Sequence, residues 1–389
     1  MTFRIPLAGP SIGADEEHAV LETLRSGRLA QGPQVAAFEE ELAAACGRRW
    51  AVAVSSGTAA LHLALIAAGV GPGQTMRVPA FTFPATANVV RLVGAHVELV
   101  DVNAATWCMR LPDKLSSAAR SMPVHQFGFP AKVFPGDISD AACAVGVPSA
   151  MQGLLACLSF HPRKVLTTGE GGAILGDDAA LLQELRLLRS HGLHQAPPSE
   201  GRYAGDFQLV RPGYNYRMSD LAAALGRVQL RRLPSLLAER RALAGRYRER
   251  LAGSRVTLQA DTPARAWQTL AVLLPEAHPR AGERDAALQR DRLRAGLAAT
   301  GIETQIASYG LHRLAAYAAD RSSFPVADAL HDRALALPLR NGMPLADVDL
   351  VCDALLAAMQ HDAPAAAIEA SSAMLPEPAP DPGAEIVQP

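Results

Sequence analysis

The sequence predicts an α/β fold: a mostly parallel sheet flanked by helices, followed by a smaller C-terminal α/β domain. Three observations carry this. Short apolar runs alternate with helical stretches through the first half of the 389-residue chain, the order that builds a parallel sheet with crossover helices. A shorter set of strand and helix patterns follows an Arg-rich amphipathic stretch beyond the middle. Hydrophobic residues make up 49% of the chain and charged residues 19%, enough apolar material for a large core.

Taken in order, residues 15–26 read as a helix. Acidic residues fill its first turn, Val20, Leu21 and Leu24 form a stripe, and Gly27 stands where a helix stops. A second helix spans 35–45. A strand at 51–54 enters the turn Ser55-Ser56-Gly57-Thr58, and a helix then runs through Ala68 to a stop at Gly69. The runs 76–79, 97–100, 124–127, 156–160 and 173–175 have the length of short buried strands, and 179–189 is helical. An Ala-rich helix at 221–230 has Ser219 or Asp220 as its cap. Residues 236–251 read as a separate helix linking two domains. Beyond it come a strand at 266–274, a helix at 291–300 stopped by Gly301, and a last helix at 345–359. The expected organisation is a large domain over 1–235, a small domain over 236–359, and a tail from 360 to 389. The tail is rich in Ala, Pro and Glu with little periodicity, the composition of a disordered segment.

Charge and cysteine usage narrow the function classes. The net charge is −1 with no basic block, which argues against nucleic acid or an anionic membrane as partner. The five cysteines, Cys46, Cys108, Cys143, Cys157 and Cys352, are scattered without CxxC spacing, so neither a metal site nor a disulfide framework is indicated. A reducing, cytoplasmic location is the expectation. The N-terminal residues lack the apolar core of a signal peptide, and the most apolar stretch, 50–70, is too polar to span a membrane.

Four segments carry candidate chemistry. Ser55-Ser56-Gly57-Thr58 lies between strand and helix, where backbone N–H groups and hydroxyls hold an anion; the same residues would also make an ordinary helix cap. Lys164 lies in Ser159-Phe160-His161-Pro162-Arg163-Lys164, followed by a Gly-rich turn through Gly172. A lysine there, among small residues, can enter a pocket, and a neutral amine is what Schiff-base chemistry needs. Asp140 precedes it by 24 residues; it reads either as a helix cap or as a carboxylate able to keep a pyridine nitrogen protonated. The stretch 211–220 (RPGYNYRMSD) supplies Asn215 and Arg217, which could reach a phosphate or carboxylate, or merely shape a loop.

In order along the chain, SSGTAALHLAL, VPAFTFPATANVV, SFHPRKVLTTGEGG and GYNYRMSDLAAALGRVQL resemble the DegT/DnrJ/StrS sugar aminotransferases. These are pyridoxal-phosphate (PLP) enzymes of fold type I, with a seven-stranded sheet. The resemblance covers about residues 5–358. It implies a catalytic Lys164 that holds the cofactor and then shuttles a proton, and Asp140 at the pyridine nitrogen. It places Ser56, Gly57, Thr58 and Ser159 at the cofactor phosphate, Phe83 against the pyridine face, and Asn215 at the phosphate of a neighbouring subunit, hence a homodimer with shared sites. Tyr309 and His312 match a segment near the sugar. The amino donor that the resemblance implies is glutamate or glutamine, and the acceptor it implies is a nucleotide-linked keto-sugar. Relatives that dehydrate carry His in place of the lysine, so Lys164 implies transamination.

The sequence departs from the family pattern in two places. Cys143 stands where the family has Gln near the PLP 3-oxygen, and Val145 where it has His. Residues 129–139 replace a helix and strand, too little chain for a crossover helix between parallel strands, which leaves Asp137 as an alternative to Asp140. Two other readings stand beside the first: an aminotransferase acting on a cyclitol or another ketone, and a PLP-binding protein without turnover.

Overall fold

The computed structural model describes residues 3–111, 120–195, 207–276, 286–318 and 323–360. The expected tail lies outside them, apart from Gln360.

The first two helices are α1 (Ala14–Arg25) and α2 (Pro33–Cys46). The main sheet is built from β1 (Trp50–Val54), β2 (Thr75–Pro79), the short β3 (Phe81–Thr82) beside it, β4 (His96–Val100), β5 (Arg120–Ser121), β6 (Ile138–Asp140), β7 (Leu155–Ser159) and β8 (Gly172–Gly176). Two hydrogen-bonded groups, β1-β8-β7-β6 and β4-β2-β5, meet where the chain leaving β5 passes β6. There Val124 bridges Asp140 in parallel, and the Asp140 N–H donates to the Pro123 carbonyl at 2.9 Å. The seven strands therefore run in the order β1, β8, β7, β6, β5, β2, β4. Only β8 opposes the rest, pairing antiparallel with both β1 and β7.

β1 and β8 are buried at every residue and β7 at all but Ser159, because both faces of the sheet are covered there, as a sheet between helix layers requires. Along β1, Trp50, Val52 and Val54 join one core and Ala51 and Ala53 the other; β7 divides Leu155 and Cys157 from Ala156 and Leu158 in the same way. The first core packs under α3 (Gly57–Ala67), α4 (Ala85–Leu92) and α5 (Ala179–Arg189). The second packs under α2 and the first half of α6 (Asp220–Arg250). The hairpin β9 (Leu193–Gln195) and β10 (Phe207–Leu209) stands beside the sheet.

A third core holds the second half of α6 against an antiparallel sheet of β11 (Thr257–Leu258), β12 (Leu270–Leu273), β13 (Gln305–Ile306) and β15 (Ala334–Leu337), in the order β11-β12-β15-β13. Helices α7 (Ala286–Ala299), α8 (Pro325–Arg333) and α9 (Leu345–Gln360) accompany it. β14 (Tyr309–Gly310) leaves this sheet and pairs with β3, carrying the C-terminal part onto the main sheet.

Three expectations are corrected. Residues 124–127 do not form a strand: the chain turns at Gln126–Gly128, with Phe127 at φ 58°. The helices read at 221–230 and 236–251 are one, since α6 continues through Pro234. The strand at 266–274 is shorter, because Trp267 has φ 49°, outside the extended region. The cap of α6 is also resolved. The Ser219 hydroxyl accepts from Ala222, while Asp220 accepts from Gly32 and Val35 at 2.9 Å and so caps α2 instead.

No crossover helix fits between Val124 and β6. The short connection is held instead by His125, which is fully buried. Its Nδ1 accepts the Ala131 N–H at 2.9 Å, so Nε2 carries the proton and donates to the Ser139 hydroxyl at 2.7 Å; that hydroxyl donates onward to the Ala150 carbonyl. Burial pushes this imidazole down to about 3.

Candidate active site

In open α/β sheets ligands collect at the carboxyl ends of the strands. Here β1, β2, β6 and β7 end along one edge, and the candidate residues lie in the segments that leave it.

At the end of β1, Ser56 caps α3, its hydroxyl accepting from Ala59 at 3.1 Å. The N–H groups of Gly57 and Thr58 lie ahead of any intrahelical acceptor, and Thr58 is exposed. Gly57 abuts the end of β7: a Cβ there would stand 2.7 Å from Ser159 Cβ. Behind them, a Cβ on Gly172 would meet the Ser56 carbonyl at 2.4 Å. Ser56, Gly57, Thr58 and Ser159 are thereby brought together around a helix N-terminus, a ready site for a phosphate.

Asp140 ends β6 and is buried. Its Oδ2 accepts from the Thr86 hydroxyl in α4 at 2.8 Å and its Oδ1 from the Ala142 N–H at 3.2 Å. Burial pushes its carboxyl above the usual range, while Thr86, Ala142 and the nearby Lys164 ammonium pull it back. Asp137 is occupied elsewhere, accepting from Ser121 and from the Phe134 N–H within the short connection.

Lys164 sits half-buried in the turn after β7. Its Nζ donates to Cys143 Sγ at 3.2 Å, and it acts electrostatically on Asp140. The turn is braced from the C-terminal part by Gln268, whose side chain bonds the peptides on both sides of Lys164.

Phe83 follows β3 and is 64% exposed, its ring edge-on to Tyr309 at 6.2 Å between centroids. The β3–β14 pairing brings these two together across 226 residues (309 − 83). His312 lies one turn further on. Its Nε2 bonds Asp328 at 2.9 Å, its ring packs on Phe324, and its buried Nδ1 has no partner among the described residues. Asn215 is exposed, between Tyr214 and Tyr216, whose rings stack 5.0 Å apart. Among the described residues no bond ties it to the lysine turn; its bridge is to Ser190.

Thr86 and Gln268 were not singled out from the sequence. Thr86 lies in the quoted segment VPAFTFPATANVV, where helical spacing from Thr82 was the available signal; Gln268 stands in no motif.

These donors fit a pyridoxal phosphate. The amine of Lys164, a buried carboxylate with lone pairs to spare, and a helix start whose Gly57 and Thr58 N–H groups have no intrahelical acceptor are the three groups such a cofactor needs. Among the described residues no cluster of His, Cys, Asp and Glu suits a metal ion, and no helix is long and apolar enough to cross a membrane.

Several solved structures are similar to this chain. Spr1654 of Streptococcus pneumoniae, assigned as a sugar aminotransferase and solved in its PMP form, is 27% identical, with 92% of this chain and 99% of that one covered at a TM-score of 0.82. DesV of S. venezuelae is 30% identical over 90% of this chain and 95% of that one, at 0.77. Helicobacter pylori PseC, an aminotransferase involved in the biosynthesis of pseudoaminic acid, is 21% identical and shares the fold over 92% of this chain and all of that one, at 0.81. The profile of the DegT/DnrJ/EryC1/StrS aminotransferase family matches residues 10–134 and 137–356. The chain therefore belongs to that family, as a PLP-dependent aminotransferase of fold type I.

Proposed function

We propose that this enzyme moves an amino group from glutamate or glutamine onto the ketone of a nucleotide-linked sugar. The observation that carries the reading is the meeting of Lys164 with Asp140 and Cys143 at the carboxyl edge of the sheet, beside the helix start of α3. Bound there, PLP supplies an electron sink for the charge left when a carbon loses its proton.

The chain's own groups do the rest. Nζ of Lys164 holds the cofactor and, once released, takes that proton and returns it. The Asp140 carboxylate keeps the ring nitrogen protonated; in a site so buried, water screens the attraction little. Ser56, Gly57, Thr58 and Ser159 hold the phosphate, and Phe83 lies against the pyridine face. Cys143 takes the place beside the 3-oxygen, where its thiol is a weak donor. Tyr309 and the free Nδ1 of His312 serve the sugar side. Asn215, exposed on its own chain, reaches the phosphate of a partner subunit, so the active form is a homodimer with shared sites. A cytoplasmic location accords with these substrates.

The first test is the visible spectrum of the protein with PLP, before and after glutamate or glutamine, with Lys164→Ala alongside. The expected result is a band that needs Lys164 and that the amino donor bleaches. Sugar-nucleotide ketones then restore the band, and cyclitol ketones do not. A Lys164-dependent band that neither donor alters would instead mark a PLP-binding protein without turnover.

A further inference from the structure

We propose that Gln268 is the positioning residue of Lys164, gripping with one side-chain amide the two peptide groups that flank it. This rests on the reading that Lys164 carries the cofactor. Oε1 of Gln268 accepts the Val165 N–H at 2.9 Å, and Nε2 donates to the Arg163 carbonyl at 2.5 Å. The orientation of the amide is unambiguous, since a peptide N–H needs the oxygen and a peptide carbonyl needs the nitrogen.

Several local bonds hold the turn: Lys164 N–H to the His161 carbonyl at 2.8 Å, Arg163 N–H to His161 Nδ1 at 3.2 Å, and the Thr168 N–H and Thr167 hydroxyl to the Phe160 carbonyl at 3.0 and 2.9 Å. None of these bonds the peptide that follows Lys164. Rotation of either flanking plane breaks a bond to Gln268, so the amide sets the direction in which the Lys164 side chain leaves the backbone. That direction carries Nζ to Cys143 and toward Asp140.

Gln268 is itself held rigidly. It is 7% exposed and follows Trp267, whose φ is 49°. The Arg265 guanidinium lies 3.7 Å above the Trp267 ring. Arg240, buried in the middle of α6, donates to the Gln268 carbonyl at 3.2 Å and to Asn341 Oδ1 at 2.8 Å. The lysine on the main sheet is thus aimed by a residue built into the C-terminal core, at a sequence distance of 104 residues (268 − 164). A displacement of that core relative to the sheet reaches Lys164 through this amide.

The test compares Gln268→Leu, Gln268→Glu and Tyr247→Phe with the unaltered enzyme. Tyr247→Phe is the control: it removes a buried bond in the same core, from the hydroxyl to the Pro338 carbonyl at 2.8 Å, away from the lysine turn. Three quantities are read: amide hydrogen exchange at Val165 in the cofactor-free protein, the pH midpoint of the visible band with PLP, and kcat against KM. Gln268→Leu is expected to speed Val165 exchange at least about tenfold, to move the pH midpoint, and to lower kcat about 10–100-fold with KM for the donor nearly unchanged, the scale of a misplaced reacting group. Gln268→Glu keeps the acceptor and loses the donor at neutral pH, so Val165 stays protected while kcat falls. Tyr247→Phe changes melting temperature alone. Unaltered Val165 exchange and pH midpoint in Gln268→Leu would overturn the proposal even if kcat fell; should that variant not fold, an unaltered kcat and midpoint in Gln268→Glu would do the same. The exchange measurement needs no cofactor, so it separates failure of the clamp from failure of the wider reading, which shows as an absent band in the unaltered enzyme.

Discussion

Asp140 concentrates the energetics of the site in one residue. Burial raises its carboxyl, so in the cofactor-free protein its charge at neutral pH is a cost. A group raised on folding stabilises below its unfolded pKa, and that contribution is lost as pH rises through the folded value. Asp140→Asn removes the cost. The variant without PLP is expected to melt about 2 °C or more above the parent at pH 7, with the difference closing below about pH 4, where the carboxyl is protonated in both states. Its turnover should fall at least about a hundredfold, the scale of lost charge stabilisation in a reaction centre. Melting curves of both proteins across pH check the first half and steady-state rates the second. A cofactor-free variant that melts lower at pH 7 would mean that the carboxylate is stabilised there by its neighbours. The same residue shows what a sequence discloses. Lys164, Ser159 and Gly57 lie in contiguous motifs, whereas Asp140 stands in none and is pointed to by the family resemblance; its rivalry with Asp137 is not decided by sequence, because that depends on Ser121 and the Phe134 N–H reaching Asp137. Gln268 was invisible for a similar reason: its task exists only once the C-terminal core folds against the lysine turn.

At the scale of elements, periodicity disclosed most of the helices and strands, and failures fell where backbone departs from regular structure. The apolar run at 124–127 has strand composition, yet the chain must turn at Phe127 to begin a connection too short for a helix. Pro234 lies between the two stretches that read as separate helices, and proline removes a helix bond; packing against two cores holds α6 continuous. The short connection hangs on neutral His125, and this gives a pH signature. Its folded pKa, about 3, lies below the ordinary value of 6.5. The stability it contributes is complete above the unfolded value and is lost as pH falls from about 6.5 toward 3, at a limiting slope of about 1.4 kcal/mol per pH unit. His125→Gln keeps a donor and an acceptor but cannot be protonated. It is expected to be less stable at pH 7 and to lose stability less steeply on acidification. Denaturant unfolding at pH 7, 6, 5 and 4 measures both slopes, and equal slopes would remove His125 as the titrating group.

At the scale of the whole molecule, one chain brings most of the proposed site together but leaves Asn215 facing outward. The β9–β10 hairpin begins three residues after Ser190, to which Asn215 bridges, and leaves Phe207 and Leu209 each 65% exposed, with Val210 after it 54% exposed. A two-fold pair would bury such a patch against its own copy and could carry each Asn215 into the other subunit's site. That arrangement has a consequence no single-chain site shares. Lys164→Ala and Asn215→Asp are each expected to be inactive, the second because a carboxylate repels the phosphate. In a dimer formed from one of each, one site combines both substitutions and the other has neither. Unfolding and refolding an equal mixture should therefore recover about a quarter of the parental activity, since half the dimers are mixed and each has one intact site. Sedimentation establishes the dimer, and the mixing experiment establishes the sharing. If Asn215 served its own chain's cofactor, every site in the mixture would carry one substitution and no activity would return.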